Sequence, residues 1–242
     1  MTEKEILKEG QTCWKQVQAN KAALLQNGQQ YFKTVYEALL QAKKSIFIIG
    51  WDIDSRLELL RGDDAENCDP DVPQHLAELL EYLAQKNPDL EVNVLAWDYS
   101  IFFAAERELF PKLNWNLKVS DRVRIHMDDT MPLGGSHHQK IIVIDDSLAF
   151  CGGMDLTNSR WDTIDHLPDD PDRVTPAGKE YGPYHDLQFM VNGAAAQTLG
   201  KVARARWKGA TDMPCLEMQP LTDIWINSVP ADFENIEVGI SR

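Results

Sequence analysis

A histidine, a lysine and an aspartate stand at fixed offsets in the segment HHQKIIVIDDSLAFCGG: His138, Lys140 and Asp145 form the pattern H-x-K-x-x-x-x-D. Alternation along an extended chain places His138 and Lys140 on the same face. Cleavage of a phosphodiester through a covalent intermediate needs a neutral imidazole beside a fixed cation that stabilises charge on the phosphoryl oxygens. The alternative is that His138 is a polar residue, with satisfied hydrogen bonds, at the entrance of a strand.

A glycine pair, Gly152 and Gly153, follows this pattern. Glycines lack a Cβ atom, so backbone and substrate could approach each other closely at the end of the second strand of the segment. Asp155 would reach the same site from the next turn. The three-residue pattern alone is a weak signal, whereas the pattern with both glycines at their offsets is a strong one.

The length of 242 residues suits one large α/β domain, or half of a duplicated one. We predict a single domain over residues 1–242, with a flexible N-terminus over about residues 1–9. No stretch approaches the roughly 20 apolar residues that span a bilayer, and the opening MTEKEILKEG is charged where a signal peptide would be apolar. We therefore expect a cytoplasmic chain.

Charge and cysteine content limit the partners. The formal net charge of −14 repels polyphosphate backbones, so no nucleic-acid partner is expected, and it argues against broad adhesion to anionic lipid. The four cysteines form no C-x-x-C pair, which favours reduced thiols and predicts neither a metal site nor a cofactor.

Helical and strand patterns alternate in the first half of the chain. Apolar residues recur at i, i+3, i+4, i+7 and i+8 between Phe32 and Leu40, which predicts an amphipathic helix, and KKSIFIIGWD then reads as a buried strand. A second helix is predicted from Pro73 to about Lys86, and LEVNVLAWD supplies the next strand. This alternation is typical of βαβ units.

The second half adds antiparallel strands. A helix is predicted from Phe103 to Phe110, followed by strands in RVRIHM, KIIVID and SLAFCG, the last two joined by a tight turn at Asp145-Asp146. Residues 158–184 are rich in Pro, Gly and Asp and predict a long irregular segment. YHDLQFMVNG resumes a strand, AAAQTLGKVARARWKG a helix, and NIEVGISR a β-like alternation. The predicted fold is α/β, a mixed β-sheet flanked by helices on both faces.

The segment HHQKIIVIDDSLAFCGGMDLTNSRWD resembles the first H-x-K-x4-D motif of the phospholipase D superfamily, with the G-G-x-D-L and R-W-D extensions of its phospholipase branch. NGQQYFKTVYEALLQAKKSIFIIGWDIDS, VLAWDYS and GPYHDLQFMVNGAAAQTLGKVARARW resemble other parts of that fold, so the resemblance covers residues 9–242. The segments WDIDS, SHHQK and GPYHD are together most similar to those of bacterial phospholipase D-like proteins, some of which carry a membrane-embedded domain further along the chain. The resemblance implies the first half of the usual duplicated α/β sandwich, with the second half absent from this chain.

Members of the superfamily act with two such motifs, one in each half or one in each subunit of a homodimer, whereas this chain has one. One histidine must attack while deprotonated and another must protonate the departing oxygen, so the resemblance implies a second H-x-K half or a homodimer mate. His138 is either the nucleophile or the general acid. Lys140 would bind phosphoryl oxygens, and Asp155 would contact phosphate or hold the imidazole tautomer of a site histidine. Asp145, counted with this catalytic set, would brace the strand end.

Residues at strand ends and in the long segment are candidates for the substrate cleft. The acidic ones would select a cationic head group such as choline. The tryptophans could contact it, with packing in the core or at the rim as their default role. His185 is either a polar group near the site or a residue that completes backbone hydrogen bonding at a strand entrance. The candidate substrate-binding set is Trp51, Asp52, Asp54, Asp98, Gly152, Gly153, Trp161 and His185.

The favoured function is that of a phospholipase D-type phosphodiesterase that works through phosphohistidine, with water or an alcohol as acceptor, giving hydrolysis or transphosphatidylation. Its substrate would be a phospholipid or another phosphodiester, and the protein would meet a membrane surface through that substrate. Two alternatives stay open: a homodimeric nuclease-like phosphodiesterase of the same superfamily, and a non-catalytic half that only binds phosphate groups.

Overall fold

The computed structural model describes residues 6–98, 121–132, 135–218 and 223–242. Their main element is an eight-stranded sheet with the strand order β4-β3-β2-β5-β6-β7-β1-β8. The strands are β1 (Lys15–Gln26), β2 (Ser45–Gly50), β3 (Glu91–Trp97), β4 (Val123–Asp128), β5 (Ile141–Ile144), β6 (Leu148–Gly152), β7 (Leu187–Asn192) and β8 (Phe233–Ile240). The pairs β2–β3 and β3–β4 are parallel and the other pairs are antiparallel, which confirms the predicted mixed sheet.

Helices cover both faces of this sheet, as predicted. The helices of the described part are α1 (Asn27–Leu39), α2 (Asp63–Glu66), α3 (Leu76–Lys86) and α4 (Ala194–Ala210). In β2, Ile46 and Ile48 pack with α1 and α3, whereas Phe47 and Ile49 pack with α4 on the other face. Because successive strand residues point to opposite faces, this run is apolar throughout and buried on both sides.

Two predicted helices begin at other residues than expected, and one strand was missed. Helix α1 begins at Asn27 rather than Phe32, and α3 begins at Leu76 rather than Pro73. Strand β1, KQVQANKAALLQ, pairs with both β7 and β8, but its Lys, Gln, Asn and Ala residues hide the alternation that would predict it. The helix predicted from Phe103 to Phe110 lies outside the described residues.

The hairpin of β5 and β6 is the element that carries the motif. Asp145 and Asp146 have φ angles of 51° and 50°, both in the left-handed region that a two-residue hairpin turn of this type requires, so the predicted turn is confirmed. Arg204 of α4 donates two hydrogen bonds to the Asp146 carboxylate, at 2.8 and 2.7 Å. The turn is therefore fixed to the helix behind the sheet.

Residues 158–184 form the predicted irregular segment, with one isolated bridge between Val174 and Glu180. Its anchor is Arg173, of which only 1% is exposed and which donates to Asp162 Oδ1 at 2.9 Å. The buried guanidinium also donates to two carbonyl oxygens of the same segment, those of Leu167 and Pro168. Across the described ranges, no helix has both the length and the apolar character needed to cross a bilayer.

Candidate functional site

The motif residues lie at one edge of the sheet, beside the end of β2. Strand β5 runs antiparallel to β2, with Ile141 opposite Ile49. The residues that precede β5 therefore lie next to the residues that follow β2. This register brings His138 and Lys140 to Trp51.

Lys140 is buried in an ion pair. Its Nζ lies 2.8 Å from Asp155 Oδ2, and the two side chains are 5% and 4% exposed. The other oxygen, Asp155 Oδ1, accepts the Trp51 N–H at 2.7 Å. A Cβ at Gly50 would lie 2.9 Å from this Oδ1, so a glycine at the end of β2 leaves room for the carboxylate. The structure thus places Asp155 on Lys140, which is neither of the two roles expected for it.

His138 is exposed and lies on the same side of the chain as Lys140. Its ring centroid is 6.0 Å from that of Trp51, and Lys140 Nζ is 5.9 Å from the same indole. Among the described residues the imidazole makes no hydrogen bond, and its ring contact is with Trp51. The alternation predicted from the sequence is consistent with this arrangement, although β5 itself begins only at Ile141.

Asp145 lies at the other end of β5. Its carboxylate accepts the backbone N–H groups of Lys43, Lys44 and Ser45, at 2.7, 2.8 and 2.7 Å. These three residues lead into β2, and the antiparallel register separates them from the edge that holds His138. Asp145 therefore joins the hairpin turn to the beginning of β2. It does not lie beside His138 and Lys140, which are at the other end of β5.

The two glycines make room for protein atoms. A Cβ at Gly152 would lie 2.5 Å from the Leu187 carbonyl oxygen, and one at Gly153 would lie 2.1 Å from Asp186 Oδ1. We expected the glycines to let a substrate approach the backbone; in the structure the atoms close to them belong to strand β7 and to Asp186, the residue before it. This packing aligns the end of β6 with the beginning of β7.

Two candidate substrate residues have almost no exposed surface; for Trp161 this is the packing role weighed beside ligand binding, whereas for Asp54 it differs from the expected position at the cleft. Trp161 is 2% exposed and belongs to the core, with the Arg61 guanidinium 5.5 Å from its ring centroid. Asp54 is also 2% exposed, and both of its oxygens are occupied by Arg56 and Asn158. Proximity to strand ends in the sequence could not reveal these buried partners.

Three other candidates lie half-buried near the motif. The indoles of Trp51 and Trp97 are 5.9 Å apart, at the ends of β2 and β3. Asp52 accepts a hydrogen bond from Thr157 Oγ1 at 2.7 Å, and the Asp98 N–H donates to a backbone carbonyl at the end of β4. These aromatic and acidic side chains lie at the same sheet edge as His138.

His185 belongs to a polar network that the sequence did not predict. Its Nδ1 lies 2.5 Å from Asn27 Oδ1, and the Asn27 amide contacts Nε2 of His166 at 3.2 Å. His166 Nδ1 in turn lies 2.7 Å from the buried Asp162. The network joins the irregular segment to the beginning of α1. Nothing in the spacing of these residues signals it, because their positions span most of the chain.

Within the described ranges, no group of three or more His, Cys, Asp or Glu side chains is arranged to hold a metal ion. The cation next to His138 is the Lys140 ammonium. The arrangement offers a nucleophile or proton donor in His138 and a fixed positive charge in Lys140.

Comparison with known proteins identifies the family. The family model for phospholipase D matches residues 38–237. Phospholipase D C of Dictyostelium discoideum is 28% identical over 216 residues, which cover 77% of this chain and 13% of that protein. Phospholipase D zeta 1 of Arabidopsis thaliana is 29% identical over 160 residues, which cover 64% of this chain and 14% of that protein. The chain thus spans less than a fifth of the length of these relatives.

Two solved structures match part of this chain. NucT from Helicobacter pylori matches 78% of this chain and 94% of its own, with a TM-score of 0.44 and 12% identity. The phosphatidylserine synthase of Haemophilus influenzae matches 76% of this chain and 36% of its own, with a TM-score of 0.47 and 18% identity. With the family model matching most of its residues, this chain belongs to the phospholipase D superfamily.

Proposed function

We propose that this chain supplies one half of a phospholipase D-type active site, which cleaves phospholipid phosphodiester bonds through a phosphohistidine intermediate. The observation that carries the proposal is that an exposed imidazole, His138, and a buried ammonium, Lys140, lie 6.0 and 5.9 Å from the ring centroid of the same residue, Trp51. One group can reach a substrate, and the other can hold a charge at a fixed place beside it.

The reaction needs two imidazoles. In the first step a histidine nitrogen attacks phosphorus, the bond to the departing oxygen breaks, and a second imidazolium gives that oxygen its proton. In the second step water or an alcohol attacks the phosphohistidine, gives its proton to the second imidazole, and the N–P bond breaks. His138 takes one of these roles, and a second H-x-K motif takes the other, from a further half of the protein or from a second subunit.

Lys140 would stabilise the negative charge that grows on the phosphoryl oxygens. Because its ammonium is buried and held by Asp155 at 2.8 Å, it needs no reorganisation when the charge develops. Its position away from bulk water also strengthens its attraction for a phosphate, compared with an exposed lysine.

The indole pair of Trp51 and Trp97, flanked by Asp52 and Asp98, would receive the head group. Indole faces and carboxylates both attract a quaternary ammonium, so choline fits this side of the site. Trp161 and Asp54 are not part of this proposal, because both are buried.

A nuclease-like homodimer of the same superfamily is the second candidate, and the net charge of −14 disfavours it, since a polyanionic substrate would be repelled. The third candidate is a non-catalytic half. The single motif is the sequence feature that favours this candidate, because the sequence has one H-x-K pair whereas the reaction needs two imidazoles.

The test combines light scattering with single-turnover cleavage of a chromogenic phosphodiester. His138→Ala is the test variant and His75→Ala, an exposed histidine before α3, is the control. A dimer whose cleavage disappears in His138→Ala alone means that symmetry completes the site. An inactive monomer that gains cleavage only when a second H-x-K half is supplied also supports the proposal. Cleavage that survives His138→Ala, or inactivity that no second half restores, refutes it.

A further inference from the structure

Residues 135–140, the motif segment that contains His137 and His138, also contact charged residues other than the Lys140–Asp155 pair. His137, which precedes His138, contacts a different part of the fold from His138 and Lys140. His137 Nε2 lies 3.2 Å from Asp128 Oδ2, at the end of β4. The same oxygen accepts a hydrogen bond from Arg206 of helix α4, at 2.5 Å. One carboxylate thus joins the motif segment, a strand end and the helix behind the sheet.

Asp128 is the centre of this cluster. It is fully buried, and its Oδ1 accepts both the N–H and the hydroxyl of Thr130, at 3.0 and 2.6 Å. Burial raises the pKa of Asp128, but the hydrogen bonds from Thr130 and Arg206 outweigh burial and hold the pKa below its usual value. The carboxylate is therefore an anion at neutral pH and can hold both Arg206 and His137.

The His137 imidazole is neutral in this environment. Burial and the Arg206 charge lower the pKa of His137, and the opposing attraction of Asp128 is weaker. Its 3.2 Å contact with Asp128 is a charge–dipole contact rather than a well-aligned hydrogen bond. It is nevertheless directed, because a neutral imidazole that faces a carboxylate keeps its proton on the nitrogen that faces it.

Residues 135–140 have no helix or strand of their own, so these side-chain contacts hold the segment. Lys140 is paired with Asp155, and His137 is paired with Asp128. His138 lies between the two attachment points. We propose that His137, through Asp128 and Arg206, is a positioning residue that fixes the backbone of His138 and so aims its imidazole at the substrate side. The kinetic consequence rests on the proposed function, whereas the orientation does not.

A purely structural anchor would change stability alone, so the test uses a spectroscopic signature of His138. The imidazole ¹⁵N resonances of His138 are followed by NMR on this chain in the wild type, His137→Ala and His137→Gln. Gln is the conservative variant because its amide N–H can replace Nε2–H. We expect His137→Ala to shift or broaden the His138 resonances and His137→Gln to restore them, with the control His75→Ala unchanged. If the His137→Ala variant is folded and its His138 resonances equal those of the wild type, the proposal is overturned.

The kinetic readout uses whichever assembly shows cleavage that depends on His138. There, His137→Ala should lower kcat about ten-fold with KM within two-fold, since a misaimed imidazole affects the transition state more than binding. His137→Gln should recover most of kcat. Equal losses in the two variants, with unchanged His138 resonances, also overturn the proposal. If His138→Ala itself retains cleavage, the proposed function fails, while the NMR result still decides whether His137 positions His138.

Discussion

Removing either partner of the Lys140–Asp155 ion pair should be among the most destabilising single changes to a charged residue in the described part of this chain. Both side chains are almost fully removed from water, with 5% and 4% exposed, and their charged atoms are 2.8 Å apart. Removing one partner of such a pair leaves a buried charge without its counter-charge, which costs about 3–5 kcal/mol. For a domain of this size that loss corresponds to a fall in Tm of roughly 6–20 °C.

The perturbation is Asp155→Asn, compared with Lys140→Met and with the double variant. Asn keeps an oxygen that can accept the Trp51 N–H, so this change removes the charge and little else. Each single variant should lose about 3–5 kcal/mol of unfolding free energy, and the double variant should lose much less than the sum, because neither charge then remains buried alone. The expected coupling between the two positions is on the order of 2–3 kcal/mol.

Urea unfolding followed by tryptophan fluorescence measures these differences, provided that the m-value stays constant. The control is Asp89→Asn, because Asp89 pairs with Lys44 on the surface, where the two side chains are 70% and 40% exposed. Solvent screens that pair, so no measurable loss is expected there. The reasoning is wrong if the losses of unfolding free energy in the two single variants add up to the loss in the double variant. It is also wrong if Asp155→Asn is as stable as the control, because water would then reach the pair.

Three further predictions concern the support of the site. Asp145→Asn should cost about 2–3 kcal/mol in urea unfolding, since three backbone N–H groups lose a charged acceptor, yet leave the His138 imidazole spectrum unchanged. Gly152→Ala should lower Tm by several degrees, because its Cβ would lie 2.5 Å from the Leu187 carbonyl oxygen and 2.8 Å from the Gln188 Cα, whereas Gly182→Ala, with nothing within 4 Å, should not; equal Tm values would contradict this. Burial raises the pKa of Asp162, but the hydrogen bonds to it, that of the Arg173 guanidinium first, hold the pKa below its usual value. Stability from this group is therefore present above pH ~4 and lost as pH falls below it, so Asp162→Asn should flatten the urea midpoint between about pH 5 and 3.

Local signals explain what the sequence could predict. The turn at Asp145-Asp146 was predictable because aspartates tolerate positive φ and two strand patterns flank them. Strand β2 was predictable from the apolar run SIFIIG, buried on both faces. The motif lies within one short stretch of chain, so alternation of side chains was enough to predict that His138 and Lys140 face the same way.

The partners of these residues were not predictable, because they are set by contacts between distant elements. Asp155 was expected to face phosphate or histidine, and it meets Lys140 because the residues that follow β6 reach the end of β2, where the Trp51 N–H donates to Asp155. Trp161 lies in a segment rich in polar residues and Gly, so its sequence neighbours could not decide between the core and the cleft, and only the fold places it in the core. The contact of His137 with Asp128 likewise depends on where β4 ends relative to β5.

The different exposure of His138 and Lys140 follows from what each side chain would do. An ammonium that supplies only charge is most effective where water is excluded and its position is fixed, and Lys140 is buried accordingly. A nitrogen that forms a bond or transfers a proton must be reached by the substrate, and His138 is exposed accordingly. If the proposed function holds, the substrate lies on the exposed side of His138, between it and the second imidazole, and we expect a complementary H-x-K motif to approach from that side of the sheet edge.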